Sequence, residues 1–194
     1  MNTVFVDVDT QMDFVFPGGS LYVPGAERIL PVISALNRHA SRTGAVVLST
    51  MDAHAEDDPE FRAWPPHCVV GTVGQQKPAS TLLERRVVVP SNRGAVFSVD
   101  ACQQIIVEKQ TIDLFTNANL GFVLDHLRAQ RFVVYGVVAE ICVRCAAIGL
   151  LRLGKLVEVA TDAVRALDEG KAREMFDEFS AAGGLLTTAA AVMA

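Results

Sequence analysis

Residues 132–160 set two apolar, strand-like runs, FVVYGVV (132–138) and KLVEVA (155–160), around a helix-like stretch, EICVRCAAIGLLRLG (140–154). Strands that are apolar throughout have no polar face to turn toward water. Joined through a helix, they predict a parallel sheet covered on both faces. The same alternation runs along the rest of the chain. Strand patterns fall at TVFVDVD (3–9), AVVLST (45–50), QQIIVEK (103–109) and GLLTTA (184–189). Helical patterns fall at 26–44, where Pro31 is tolerated near the start, at 120–130, and at 170–183. Gly154 predicts the stop of the helix after residue 140. Residues 51–100 break the rhythm: they are rich in Pro, Gly and charge and hold one short strand pattern, RRVVVP. A long loop-like insert in a compact α/β domain is usually functional.

The 194 residues suit one domain, expected over 1–194, and a 51% hydrophobic content predicts one sizeable core. The net charge of −5, with lysines and arginines unclustered, argues against nucleic acid. No apolar run reaches the ~20 residues of a membrane helix. MNTVFVDVD lacks the basic and apolar regions of a signal peptide, so the expected compartment is the cytoplasm. Four cysteines there read as core, catalytic or ligand residues rather than a disulfide framework.

Sites in parallel α/β sheets form beyond the carboxyl ends of the strands. Asp9 ends the first strand, Asp52 and His54 follow the second, Glu108 and Lys109 end the strand near 107, and Cys142 opens the helix after residue 138. A helix N-terminus stabilises a thiolate, and its amides can receive an oxyanion. Asp9 can take the thiol proton, with Lys109 holding the ion pair. Taken singly, each residue has an ordinary structural reading: Cys142 a small core residue, Asp9 a cap, Lys109 a solvated strand end. All three at one sheet edge are harder to dismiss. Cys142 and Cys145 also form a CxxC, which leaves a thiol-disulfide reading open. Cys68 and Cys102 read as packed residues. Asp52, His54, Glu60 and His67 mix imidazole with carboxylate, which suits zinc, iron or manganese. A DxH spacing is weak by itself, and an acidic surface loop with incidental histidines reads as well.

DTQMDF (9–14), GGSLYVPGA (18–26), DAH with WPPHC (52–54, 64–68), EK (108–109), GVVAEICV (136–143) and ATDAV (160–164) together resemble the isochorismatase-like cysteine hydrolases, and among them the nicotinamidases. The resemblance spans almost the whole chain. It implies a Rossmann-like, three-layer αβα fold around a six-stranded, mostly parallel sheet. It implies a catalytic triad of Asp9, Lys109 and Cys142, and an oxyanion hole from the amides of Val138 and Cys142. It implies a divalent metal, zinc with iron or manganese as alternatives, on Asp52, His54 and His67, with Glu60 at a variable fourth position. Phe14 and Trp64 would sandwich the substrate ring, Ile141 would wall the pocket, and the Val137–Val138 peptide would be cis. The implied reaction hydrolyses nicotinamide to nicotinate and ammonia through a thioester on Cys142, a step in NAD salvage. A related amidohydrolase of another small amide or ureido compound is the alternative. Relatives are often dimers or larger, so a homo-oligomer is expected too. Two positions depart from the family pattern: Asp113 stands in place of a serine, and apolar Ile141 stands where several nicotinamidases carry a polar residue.

Overall fold

A computed structural model describes residues 2–194. The chain starts in the middle of its sheet. Strand β1 (Thr3–Val8) is followed by a short helix α1 (Met12–Val15), helix α2 (Leu30–Thr43) and strand β2 (Val46–Asp52). Strands β3 (Arg86–Val89) and β4 (Gln104–Lys109), helix α3 (Leu120–Leu127) and strand β5 (Arg131–Val137) follow. Helix α4 (Arg144–Arg152), strand β6 (Leu156–Arg165), helix α5 (Glu169–Ala181), strand β7 (Leu185–Thr187) and helix α6 (Ala189–Met193) complete it.

The strand order is β3-β4-β2-β1-β5-β6-β7, and every pairing is parallel. The sheet therefore has seven strands, not the six that the family resemblance implies. The difference lies at the edges, where β3 and β7 are short, partly exposed strands whose backbones complete the ladders of β4 and β6. Helix α2 packs on β1, β2 and β6 beside α6, while α4 and α5 pack together against β5, β6 and β7. The β-branched and aromatic residues of β1 and β5 lie between these layers, and Val6, Val133, Val134 and Tyr135 have no exposed surface. No described helix is long and apolar enough to cross a membrane.

Caps stop and start the helices where the sequence pattern changes. Gly44, at φ +77°, ends α2 with its amide bonded to the carbonyls of Ala40 and Ser41. Asp168 starts α5 by accepting from the amides of Gly170 (2.7 Å) and Lys171 (3.1 Å). The helix expected over 140–154 is composite: a π-helical turn at Ala139–Val143 precedes α4. Cys142 therefore sits in a widened turn rather than in the first turn of an α-helix.

Connections leave β1 toward β2 and leave β5 toward β6, in opposite directions across the sheet. The crevice between the carboxyl ends of β1 and β5 is thus the topological switch point, where α/β sheets bind ligands. Gly136 makes this approach possible. It has φ +120°, and a Cβ there would lie 2.1 Å from the Val8 carbonyl oxygen. The Val137–Val138 peptide that follows is cis, as the resemblance implies.

Candidate active site

Asp9 leaves β1 with φ +47°, a left-handed conformation uncommon for aspartate, and is 1% exposed. Thr50 at the end of β2 holds it twice. The Thr50 hydroxyl donates to Asp9 Oδ1 (2.5 Å) and accepts from the Asp9 amide (3.1 Å). Lys109, the last residue of β4, projects its ammonium to 2.8 Å from Asp9 Oδ2 and donates to Asp52 Oδ1. Its Nζ also lies 3.8 Å from Cys142 Sγ. A buried lysine is tolerable only when paired, and here two carboxylates pair it. Apart from the Lys109 ammonium, Asp9 Oδ2 has no partner among the described residues, and it can serve as a proton acceptor.

The electrostatics differ from the sequence expectation of a stabilised thiolate. Burial pushes the Cys142 thiol well above its ordinary value; Lys109 opposes this, but Asp9 and Asp52 reinforce it. Burial also raises the Asp9 carboxyl against the pull of Lys109. Burial would raise Asp52 too, yet Lys109 and His54 outweigh it and hold Asp52 below the usual carboxylate value. Lys109 resists the downward effect of burial because Asp52, Asp9 and Cys142 keep its charge, and its value is well above ordinary. The resting set is therefore a neutral thiol beside a firmly charged lysine and a carboxylate of raised basicity.

Next to this set, Asp52, His54 and His67 bring one ligand atom each to within 4.8 Å of one another. The Nε2 atoms of His54 and His67 lie 3.9 and 3.8 Å from Asp52 Oδ2. The His67 loop is tied to the end of β2 by backbone bonds from His54 to the Cys68 carbonyl (3.2 Å) and from Val70 to the His54 carbonyl (2.9 Å). His67 Nδ1 lies 2.8 Å from the Pro65 carbonyl, so it carries the proton and its Nε2 presents a lone pair. Burial holds His67 below its ordinary value, which favours that neutral form. His54 is fully buried, and neither ring nitrogen has a hydrogen-bond partner among the described residues. Its Nδ1 nonetheless lies 3.0 Å from the Asp58 carboxylate. Two imidazole nitrogens facing one carboxylate oxygen fit the donor set of a divalent metal. Glu60 stands outside this three-residue cluster but faces the same pocket, and burial raises its carboxyl.

The pocket holds about 360 Å³ of empty space. Asp9, Cys142 and Val138 form one side, Asp52, Glu60 and His67 another, and Phe14, Trp64 and Ile141 line it as well. Lys109 and His54 lie behind this surface. Asp113, in contrast, caps the turn at Leu114–Thr116 by accepting from the Phe115 amide (2.9 Å) and does not line the pocket.

Several supporting residues escape a reading of strand ends. Gln11 clamps the end of β2: its amide donates to the Asp52 carbonyl (2.9 Å) and accepts from the Asp52 N–H (2.7 Å). Asp13 accepts from the Cys68 amide (2.7 Å) and the Ser20 amide (3.0 Å), which locks the His67 loop to the segment carrying Phe14. Gly74 packs so closely that a Cβ there would lie 2.1 Å from the Asp13 carboxylate. The only sequence signal for Asp58 was its place four residues after His54. Cys68 is buried as expected, but Cys102 and Cys145 are half-buried.

Known proteins are similar along nearly the whole chain. The isochorismatase domain pattern matches residues 3–191. A nicotinamidase of Escherichia coli is 26% identical, with 94% of this chain and 93% of that protein covered. The crystal structure of a pyrazinamidase of Pyrococcus horikoshii in complex with zinc superposes with a TM-score of 0.79 at 26% identity, covering 97% and 99% of the two chains. An L. infantum protein in complex with nicotinate superposes with a TM-score of 0.77 at 26% identity, covering 98% and 94%. The fold and the match over residues 3–191 agree: the chain belongs to the isochorismatase domain family.

Proposed function

We propose that the protein hydrolyses nicotinamide to nicotinate and ammonia, with Asp9, Lys109 and Cys142 as its catalytic residues. The observation that carries this reading is the position of Lys109 Nζ, 2.8 Å from Asp9 Oδ2 and 3.8 Å from Cys142 Sγ, beside an Asp–His–His cluster on one pocket. Cys142 is a thiol at rest, so attack requires a proton acceptor, and Asp9 is that acceptor. Asp9 takes the thiol proton as sulfur adds to the carboxamide carbon. Lys109 balances the negative charge that then sits on sulfur and on the oxyanion. The amides of Val138 and Cys142 receive the oxyanion; the Val138 carbonyl already accepts from Ile141 and Val143 (3.1 Å each), which fixes the turn around Cys142. Collapse breaks the C–N bond, Asp9 returns the proton to nitrogen, and ammonia leaves. Water then gives a proton to Asp9 and adds to the thioester. The C–S bond breaks, the acid is released, and sulfur regains its proton.

Asp52, His54 and His67, with Glu60 at the edge, would hold a divalent metal, taken here as zinc. Bound there, it supplies a Lewis acid that orients the pyridine nitrogen and draws electron density from the ring. Phe14 and Trp64 hold the ring between them, and Ile141 closes the wall. The test is ammonia release from nicotinamide and pyrazinamide by purified protein with zinc restored, alongside Cys142→Ala. Turnover that vanishes in the variant is expected. No ammonia from either amide would remove the substrate assignment, and turnover retained by the variant would remove the covalent mechanism. Apolar Ile141 favours a second reading, hydrolysis of a different small amide or ureido compound with the same three residues. A substrate panel separates the two.

A further inference from the structure

The pocket at Cys142 is not closed on its outer side. Trp64, Ile112, Ile141 and Leu167 line it and also line a second, broader cleft with about 960 Å³ of empty space. Ile112 and Leu167 are 41% and 40% exposed at this junction. The outer cleft shares no wall with Asp52, Glu60 or His67, so it opens away from the candidate metal site.

Two charged groups on the outer wall are held by neighbours, while Lys171 carries no ion pair among the described residues. Glu140 accepts from the amides of Leu167 (3.0 Å) and Asp168 (2.8 Å), and Arg144 pairs twice with Glu178 (2.6 and 2.7 Å). A neck of four apolar side chains between two chambers is suited to an uncharged substituent passing through it. Nicotinamide alone needs only the inner chamber.

We infer that the substrate class of this site includes aromatic carboxamides carrying an apolar substituent, the amide held at Cys142 and the substituent lodged past Ile141 in the outer cleft. The inference rests on the amidase reading above. The substituent is attached either to the ring, on the side away from the metal ligands, or to the amide nitrogen. In the second case the C–N bond breaks as before and an amine leaves with the proton from Asp9.

The experiment compares zinc-loaded enzyme on nicotinamide, a ring-alkylated nicotinamide and N-benzylnicotinamide, with release of ammonia or amine as readout. Two variants probe residues that line the outer cleft and not the inner pocket, Lys171→Trp and Cys145→Phe. One substituted amide should match or exceed nicotinamide in kcat/KM, and which one does so identifies the attachment point. Each variant should lower that value about tenfold or more, the scale for a lost apolar contact or an introduced clash, while nicotinamide turnover stays unchanged. If one variant fails to fold, the other still decides. Turnover of nicotinamide without either substituted amide overturns the inference and leaves the nicotinamidase reading standing. Turnover of a substituted amide without nicotinamide does the reverse. A variant effect equal on all substrates also overturns the inference, and so does a complete absence of turnover.

Discussion

Asp52 divides its carboxylate between two jobs: Oδ1 accepts from the ammonium of Lys109, and Oδ2 faces the Nε2 atoms of His54 and His67 at 3.9 and 3.8 Å. One side chain thus joins the acid–base set to the candidate metal site, and Lys109 keeps its charge through that link.

We predict that Asp52→Asn disturbs both halves. Wild-type protein should carry about one divalent metal per chain, the amount a single three-ligand site holds, and the variant far less. Elemental analysis after dialysis measures this. Full metal occupancy together with full turnover in the variant would remove Asp52 from the site.

Lys109→Met should destabilise the fold by about 3–5 kcal/mol, because it leaves the carboxylates of Asp9 and Asp52 buried without their cation. The pH dependence has a definite sign. Without the lysine, burial raises both acids above their unfolded values, so the folded state binds more protons than the unfolded one. The variant is then least destabilised at acidic pH and loses stability as pH rises through the raised folded values. Urea titrations at several pH values check this; a deficit that shrinks toward alkaline pH would contradict it.

The acid limb of kcat/KM should lie above the ordinary carboxylate range, since activity needs Asp9 ionised and burial raises it. The Thr50 hydroxyl favours the ionised form. Thr50→Val should therefore move the limb to higher pH by about one to two units, given ~1.5–3 kcal/mol for a hydrogen bond to a charged group. Thr50→Ser should restore the profile. A limb that stays in place in the valine variant would show that another group controls it.

Asp58 lies 3.0 Å from His54 Nδ1 and orients the ring from behind. Asp58→Ala should weaken metal affinity about 10–100-fold, the usual scale for removing such a partner. Competition with a chelator reads the change directly. An unaltered affinity would mean that packing alone positions His54.

Much of this site is visible as residue types. Asp9, Lys109 and Cys142 stand out because apolar strands end abruptly in groups that do not belong in a core, and Asp52, His54 and His67 because imidazole and carboxylate recur in one loop-rich stretch. Gln11, Asp13 and Thr50 do not stand out, because their work is done through hydrogen bonds to residues 41 to 55 positions away along the chain. The local and non-local influences on the Cys142 thiol oppose each other. A helix start is a local feature that favours the anion, but the depth of burial beside two carboxylates is not local, and it wins.

The alternation of apolar strands and helices by itself determined a parallel sheet covered on both faces, since no other arrangement hides such strands. It also determined that polar groups would gather at one edge, because helices and strands alternate in direction and the strand ends share a side. Only the tertiary structure decided which of those groups touch. Strand order brings β1 between β2 and β5, and register sets Lys109 opposite Asp52 across the β2–β4 ladder. Those distances follow from pairings between segments far apart in the chain, and a periodicity of 2 or 3.6 residues carries no information about them.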